Sequence, residues 1–296
     1  MLLTEMDVQK LYDKNKKLKK VDIVALQDWI KKQPHLPPLK EYELIYFLHS
    51  CYFSLEKTKE TIDNFWTIKT QCPELFGKKD PAEFTQAINE SAYVPLPQLT
   101  PEGYQVVYIK LLDCDPHTYI PENHIKYLNT SIFLWLLEIG TVEGVIIVID
   151  INGVTLAHVT RVSLITIKKT IFFLQEALPV RLKGIHCINT APFIDTAITI
   201  VKPFLKKELI NLLHFHHKIE TLYKYVPLEC LPSDMGGNAK SLSELHEATK
   251  KRIADNADYI EEFEKVVVDE NKRVGKTNNV KTLFGTEGSF RKLDID

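Results

Sequence analysis

Residues Leu178 to Leu205 read LPVRLKGIHCINTAPFIDTAITIVKPFL, and their periodicity changes halfway along. In the first half, alternation places Arg181, Lys183, Ile185 and Cys187 on one side of an extended segment and Leu182, His186 and Ile188 on the other. This predicts a strand with one face that is basic at its start and apolar at its end. In the second half, at about 100° per residue, Phe193, Ile194, Ala197, Ile198, Ile200, Val201, Phe204 and Leu205 share an arc of roughly 160°. Asp195, Thr196, Thr199 and Lys202 fill the opposite side. Such a helix either covers a core as an ordinary surface helix or closes over an apolar cavity as a lid.

Working outward, Val145 to Ile149 are five consecutive β-branched residues followed by Asp150-Ile151-Asn152-Gly153, the pattern of a strand buried on both faces and closed by a turn. Gln105 to Leu112 alternates as a strand, Pro121 to Leu137 is a helical run, and Thr160 to Leu178 predicts one long amphipathic helix. Strands alternating with helices predict an α/β domain with at least partly parallel pairing. Upstream, helices are expected at about Asp22 to Lys32, capped by Asp22, at Glu41 to His49 and at Ser54 to Thr70, ending at Pro73. These make a small all-helical module over residues 1–76, and the Pro- and Gly-containing stretch after Leu75 reads as the junction. The α/β domain then spans residues 77–240. The capping box Ser241-Leu242-Ser243-Glu244 opens a C-terminal helix to about Lys265 within residues 241–274, and residues 275–296 read as a flexible tail.

Composition narrows the function classes. The 37 basic and 39 acidic residues nearly cancel, so no global field attracts nucleic acid, and a membrane or phosphate contact must come from a local patch. Five cysteines without a C-x-x-C pair argue against a disulfide framework and a zinc site, and fit reduced thiols in the cytoplasm. The N-terminus lacks a basic stretch followed by a long apolar core, so no secretory signal is expected. The best candidate for a membrane span, Ser131 to Ile149, carries Glu138 and Glu143, and reads instead as helix, turn and buried strand. Nucleophile-elbow, P-loop, metalloprotease and dinucleotide-binding motifs are absent, so neither an enzyme nor a cofactor is expected. His214, His216 and His217 lack the third-ligand spacing that would close a metal site, and His186 reads as a hydrogen-bonded core histidine.

Three stretches, Leu178 to Leu205, Gly144 to Gly153 and Leu231 to Gly237, together resemble the CRAL-TRIO (Sec14-like) lipid-binding family, closest to its tocopherol- and retinaldehyde-binding group. Leu44 to His49 with Leu55-Glu56-Lys57 resembles that family's N-terminal helical module, and Gly285 to Lys292 is similar to the tails of its insect members. The resemblance implies a mostly parallel sheet flooring an apolar cavity, gated by one amphipathic lid helix. Carried over position by position, it implies a cavity wall of Ser131, Val145, Ile147, Ile149, Leu178, Ile185 and Cys187, with Ile194, Ala197, Ile198, Val201 and Leu205 on the lid. It also implies phosphoinositide contact by Arg181 and Lys183, helped by Lys206 and Lys207, because Glu208 and Leu212 stand where basic residues of the family would. The expectation is a monomeric cytoplasmic carrier that takes a tocopherol, retinoid, carotenoid or similar lipid to membranes, associating with them transiently. The alternative is a lipid-sensing interaction module without net transfer.

Overall fold

The computed structural model describes residues 8–275 and Phe284. The Gly285 to Lys292 resemblance and, apart from Gly275 and Phe284, the expected tail lie outside them. Four helices open the chain: α1 (Val8–Lys14), α2 (Lys20–Lys31), α3 (Glu41–Ser50) and α4 (Leu55–Gln71). Helix α2 starts before Asp22, with Lys19 at the cap position, so Asp22 sits in the first turn and favours the helix through its dipole. Ile23, Leu26, Leu44, Ile45, Leu48 and Ile62 are fully buried between these helices. The same core continues into the rest of the molecule through Leu137, Phe173 and Leu178.

The stretch expected to be a loose junction contains two further helices and a strand. These are α5 (Pro73–Phe76), α6 (Pro81–Glu90) and β1 (Ser91–Pro95). Asp80 caps α6 by accepting hydrogen bonds from Ala82 N at 2.9 Å and Glu83 N at 3.1 Å, and Pro81 takes the first helical position. β1 is tolerant of Pro95 because it is an edge strand. It pairs antiparallel with β2 (Tyr104–Leu111). Helix α7 (Pro121–Ile139) crosses to β3 (Gly144–Asp150), α8 (Leu156–Arg161) and α9 (Leu164–Glu176) lead to β4 (Leu182–Ile188), and α10 (Ile194–Val201) with α11 (Lys207–Ile210) leads to β5 (Leu213–His216). The strands β2, β3, β4 and β5 pair in parallel, in chain order.

Two expected helices are each broken in two. The run from Thr160 to Leu178 is interrupted because Ser163 caps a new helix, its hydroxyl accepting from Thr166 N at 3.1 Å. The helix from Ser241, whose capping box forms as expected, is α12 (Leu242–Asp255), and Asn256 separates it from α13 (Ala257–Lys265).

The sheet has two different faces. On the back, Val94, Val106, Tyr108, Ile146, Val148 and Ile188 pack against Leu222, Val226, Cys230, Leu231 and Leu242 in a closed core. Register places two apolar rows on the front. One runs Pro95, Val107, Ile147, Ile185, Leu213, and the other runs Tyr93, Ile109, Ile149, Cys187, Phe215.

Candidate functional site

The front rows are covered unevenly. Over the β1–β2 side, α7 lays Trp135 and Leu136 against Val107 and Val145. Leu128, Ser131, Ile132 and Trp135 of α7 line a small cavity with Tyr93, Pro95 and Val107. Over β3 the cover thins. Ile147 and Ile149 keep partial exposure although β3 is the central strand, while Ile185 and Cys187 beside them are each 7% exposed. An apolar side chain in the middle of a sheet normally loses its solvent contact altogether, so this patch is an exception to the packing of the rest of the sheet.

Helix α10 carries the residues expected on a lid, and none of its residues is buried. Ile194, Ala197, Ile198 and Val201 are half-buried, as is Leu205 just beyond the 3₁₀ turn Lys202–Phe204. None of them joins a packed core among the described residues. The helix therefore adds little to the packed cores of the molecule.

The candidate wall residues divide. Ile147 with Ile185, and Ile149 with Cys187, are paired neighbours in register on the front face. Val145 lies lower, packed with Trp135, Leu136 and Val142. Leu178 belongs to the core shared with the N-terminal helices. Ser131 lies buried beside Tyr127, and neither its hydroxyl nor the Tyr127 phenol has a hydrogen-bond partner of normal geometry. The sequence reading missed Val107, Ile109, Leu213 and Phe215. The alternation of Gln105 to Leu112 could have placed the first two on the front face, but only register shows that their rows meet Ile147 and Ile149.

The basic residues also separate. Arg181 is buried and committed to the protein: its Nε donates to His49 O at 2.8 Å, its Nη1 to Glu143 at 3.3 Å, and its guanidinium lies 4.4 Å above the Tyr52 ring. Lys183 Nζ donates to the Tyr52 hydroxyl at 3.1 Å. Arg181 and Tyr52 open onto a polar cleft of about 490 Å³ whose other lining residues include Lys14, Lys16, Lys17, His49 and Glu143. The lysine run near the N-terminus thus adds Lys14, Lys16 and Lys17 to Arg181 as the cations of this cleft. Lys206 lies elsewhere, ion-paired with Glu176, and Lys207 is exposed at the start of α11.

The remaining candidate groups are structural. Burial pushes the Cys187 thiol up to about 12, which keeps it protonated and poorly nucleophilic. Asp150 accepts hydrogen bonds from Tyr108 Oη, Asn152 N and Asn189 Nδ2 and an ion pair from Lys110. Burial alone would raise its pKa, but these bonds hold it below the usual carboxylate range. Asn189, at φ 54°, makes the left-handed turn that follows β4.

His186 is a hydrogen-bonded core residue as its alternation predicts, with Nδ1 2.9 Å from His216 Nε2. Its ring stacks on His214 at 4.7 Å and meets Tyr225 at 4.6 Å, while His216 Nδ1 lies 2.7 Å from the Thr221 hydroxyl. Gly184 makes room for it, since a Cβ there would stand 2.4 Å from His186 Nε2. Among the described residues, no group of three or more His, Cys, Asp or Glu is arranged to hold a metal ion.

These imidazoles carry a pH prediction. Burial first, and then His214 and His216, hold His186 down to about 3. Burial, with Arg181 and Lys14 added, does the same for His49. The folded-state values lie below the unfolded value, so the stability they allow is complete above about pH 6.5 and falls as pH drops through that value toward the folded one. The urea midpoint is expected to be flat from pH 8 to 6.5 and to decline steadily toward pH 4.5, with no ring titration of His186 or His49 before unfolding. A ring midpoint near 6.5 by NMR would contradict this reading.

The comparisons with known proteins follow the same outline. Residues 89–237 match the model of the CRAL/TRIO domain, and residues 15–85 match that of a Pinta-like UBA domain. The chain is 28% identical over 253 residues to human alpha-tocopherol transfer protein-like, covering 82% of this chain and 72% of that one. It is 22% identical over 223 residues to human clavesin-2, covering 73% and 68%. Among solved structures, the crystal structure of Sfh5 superposes with a TM-score of 0.48 at 12% identity, covering 83% of this chain and 92% of that one. No helix among the described residues is long and apolar enough to cross a membrane.

Proposed function

The chain belongs to the CRAL/TRIO domain family, and from that premise we propose that it is an intracellular carrier for a hydrophobic small molecule of the tocopherol, retinoid or carotenoid kind. The observations that carry this reading are the front face of the sheet, where Ile147 and Ile149 stay partly exposed on a central strand, and α10, an amphipathic helix with no buried residue. Ile185, Cys187 and the lid residues Ile194, Ala197, Ile198, Val201 and Leu205 complete the enclosure. Ser131, with its unsatisfied hydroxyl, orients the ligand's polar end from α7.

Burial supplies the affinity. Enclosing ~500 Å² of apolar ligand at ~25 cal/mol/Å² is worth about 12 kcal/mol before the costs of association. No covalent bond or ion pair is needed. Release requires a second state, and the lid supports one: swung outward, its apolar arc enters the membrane interface, which offsets the exposure of the cavity.

The polar cleft is the phosphoinositide site in this reading. Lys14, Lys16 and Lys17 line it together with Arg181, and Lys183 is tied to the same Tyr52. A headgroup phosphate there competes with Glu143 for Arg181.

Native mass spectrometry of the chain after incubation with a lipid extract tests the carrier, followed by movement of the identified ligand from donor to acceptor vesicles. One apolar adduct per chain and protein-dependent transfer are expected. An adduct that never moves between vesicles would replace the carrier with a lipid-sensing module, and no adduct at all would remove both.

A further inference from the structure

The segment just after α10 is fastened to the end of α9, and that place also touches the N-terminal helices. Gln175 and Glu176 end α9. Gln175 grips the backbone just after the lid twice, its Nε2 donating to Phe204 O at 3.3 Å and its Oε1 accepting from Lys206 N at 2.7 Å. Glu176, whose side chain is 9% exposed, splits its carboxylate. One oxygen takes the Lys206 ammonium from the lid hinge, and the other takes Lys57 Nζ of α4 at 3.3 Å. Asn64 of α4 adds a bond from Nδ2 to Glu176 O at 3.4 Å.

From this geometry we infer that Gln175 and Glu176 form a latch through which the N-terminal helices hold the lid hinge in place. Because α10 buries none of its own residues, its position depends on what holds its ends. Gln175 fixes the hinge backbone, and Glu176 fixes the hinge lysine. Lys57 and Asn64 in turn fix Glu176, so that a buried carboxylate with one favoured rotamer presents its second oxygen to Lys206. The N-terminal helices, 119 residues away in sequence at the Lys57–Glu176 contact, thereby reach the lid hinge through Glu176. Lys57 and Lys206 are 44% and 59% exposed, so the latch opens to solvent on both sides and loosens as salt screens the pairs.

The inference rests on reading α10 as the carrier's lid, and the test separates the two. Hydrogen exchange of the ligand-free full chain is measured for peptides covering residues 194–206. Gln175→Ala and Glu176→Gln are expected to raise exchange there roughly threefold to tenfold, the effect of losing one or two ordinary hydrogen bonds from a locally opening segment. Lys57→Gln is expected to raise it in the same peptides. Glu60→Gln, which removes only the 3.0 Å pair that Lys57 makes on its own helix, is expected to leave them unchanged. If Glu176→Gln does not fold, Lys206→Gln breaks the bridge from its exposed side. Unchanged lid exchange in the Gln175 and Glu176 variants would overturn the latch, and unchanged exchange in Lys57→Gln alone would overturn its link to the N-terminal helices. A latch confirmed by exchange in a chain that transfers no ligand would overturn the carrier and leave the latch standing.

Discussion

Changing Ile198 and Val201 together to aspartate is expected to reduce vesicle-to-vesicle transfer of the bound ligand by roughly tenfold or more while leaving the fold intact. Each aspartate puts a charge on the apolar arc of α10. A carboxylate at the centre of a membrane helix costs about 2.5–3.5 kcal/mol on insertion scales, and even a fraction of that at the interface, counted twice, exceeds the ~1.4 kcal/mol that makes a factor of ten. The same charges oppose closure over Ile147, Ile149, Ile185 and Cys187. Global stability changes little because no α10 residue is buried and none joins a core cluster. Equal stability to the parent in urea, with transfer and ligand retention also equal, would remove α10 from the mechanism.

Replacing Phe65 by alanine is expected to cost about 3–5 kcal/mol of stability, the usual range for deleting a buried aromatic ring. Phe65 is 2% exposed, and its ring meets Phe47 at 5.4 Å, Trp66 at 5.2 Å, Phe133 at 5.3 Å and Phe173 at 6.0 Å. Phe47 and Trp66 belong to the N-terminal helices, while Phe133 lies on α7, which packs on the sheet, and Phe173 on α9. The loss therefore falls on both parts at once. Trp29 and Trp66 report on the N-terminal helices and Trp135 on the sheet, so single-tryptophan versions can follow each separately. Their denaturation midpoints are expected to move together in Phe65→Ala. A shift confined to Trp29 and Trp66 would show instead that the N-terminal helices unfold on their own.

Much of this architecture was legible in the residues. Five β-branched residues in a row specify a strand, and Val145 to Ile149 form the central one, buried on the back face while Ile147 and Ile149 stay partly exposed on the front instead of buried on both faces. The change from alternation to a 3.6-residue period in Leu178 to Leu205 specifies a strand followed by an amphipathic helix, which are β4 and α10. The capping box at Ser241 marks a helix start for a local reason, two reciprocal hydrogen bonds at 3.0 and 3.3 Å. β1 was less legible: five residues with a proline carry too little periodicity, and it becomes a strand because β2 offers it an edge.

The site was legible only in part. Alternation shows which residues of one strand share a face, and so linked Ile185 with Cys187. It is silent on which strand lies alongside, so the rows through Val107, Ile109, Leu213 and Phe215 went unseen. The cations show the same limit. Arg181 and Lys183 stand two apart and do share a partner, but Arg181 is spent on His49 and Glu143, residues far away in the sequence. Lys206, grouped with them by charge, belongs to Glu176 instead.

What the sequence determined by itself is therefore everything set by neighbours within a few positions: strand, amphipathic helix, caps, and an apolar arc that water disfavours. What only the tertiary structure decided is which charges meet and which apolar face stays half-covered. The period of a helix or strand is a local property of the backbone. Burial and ion pairing depend on distances between segments brought together by folding, such as Lys57 and Glu176, and no spacing along the chain encodes them.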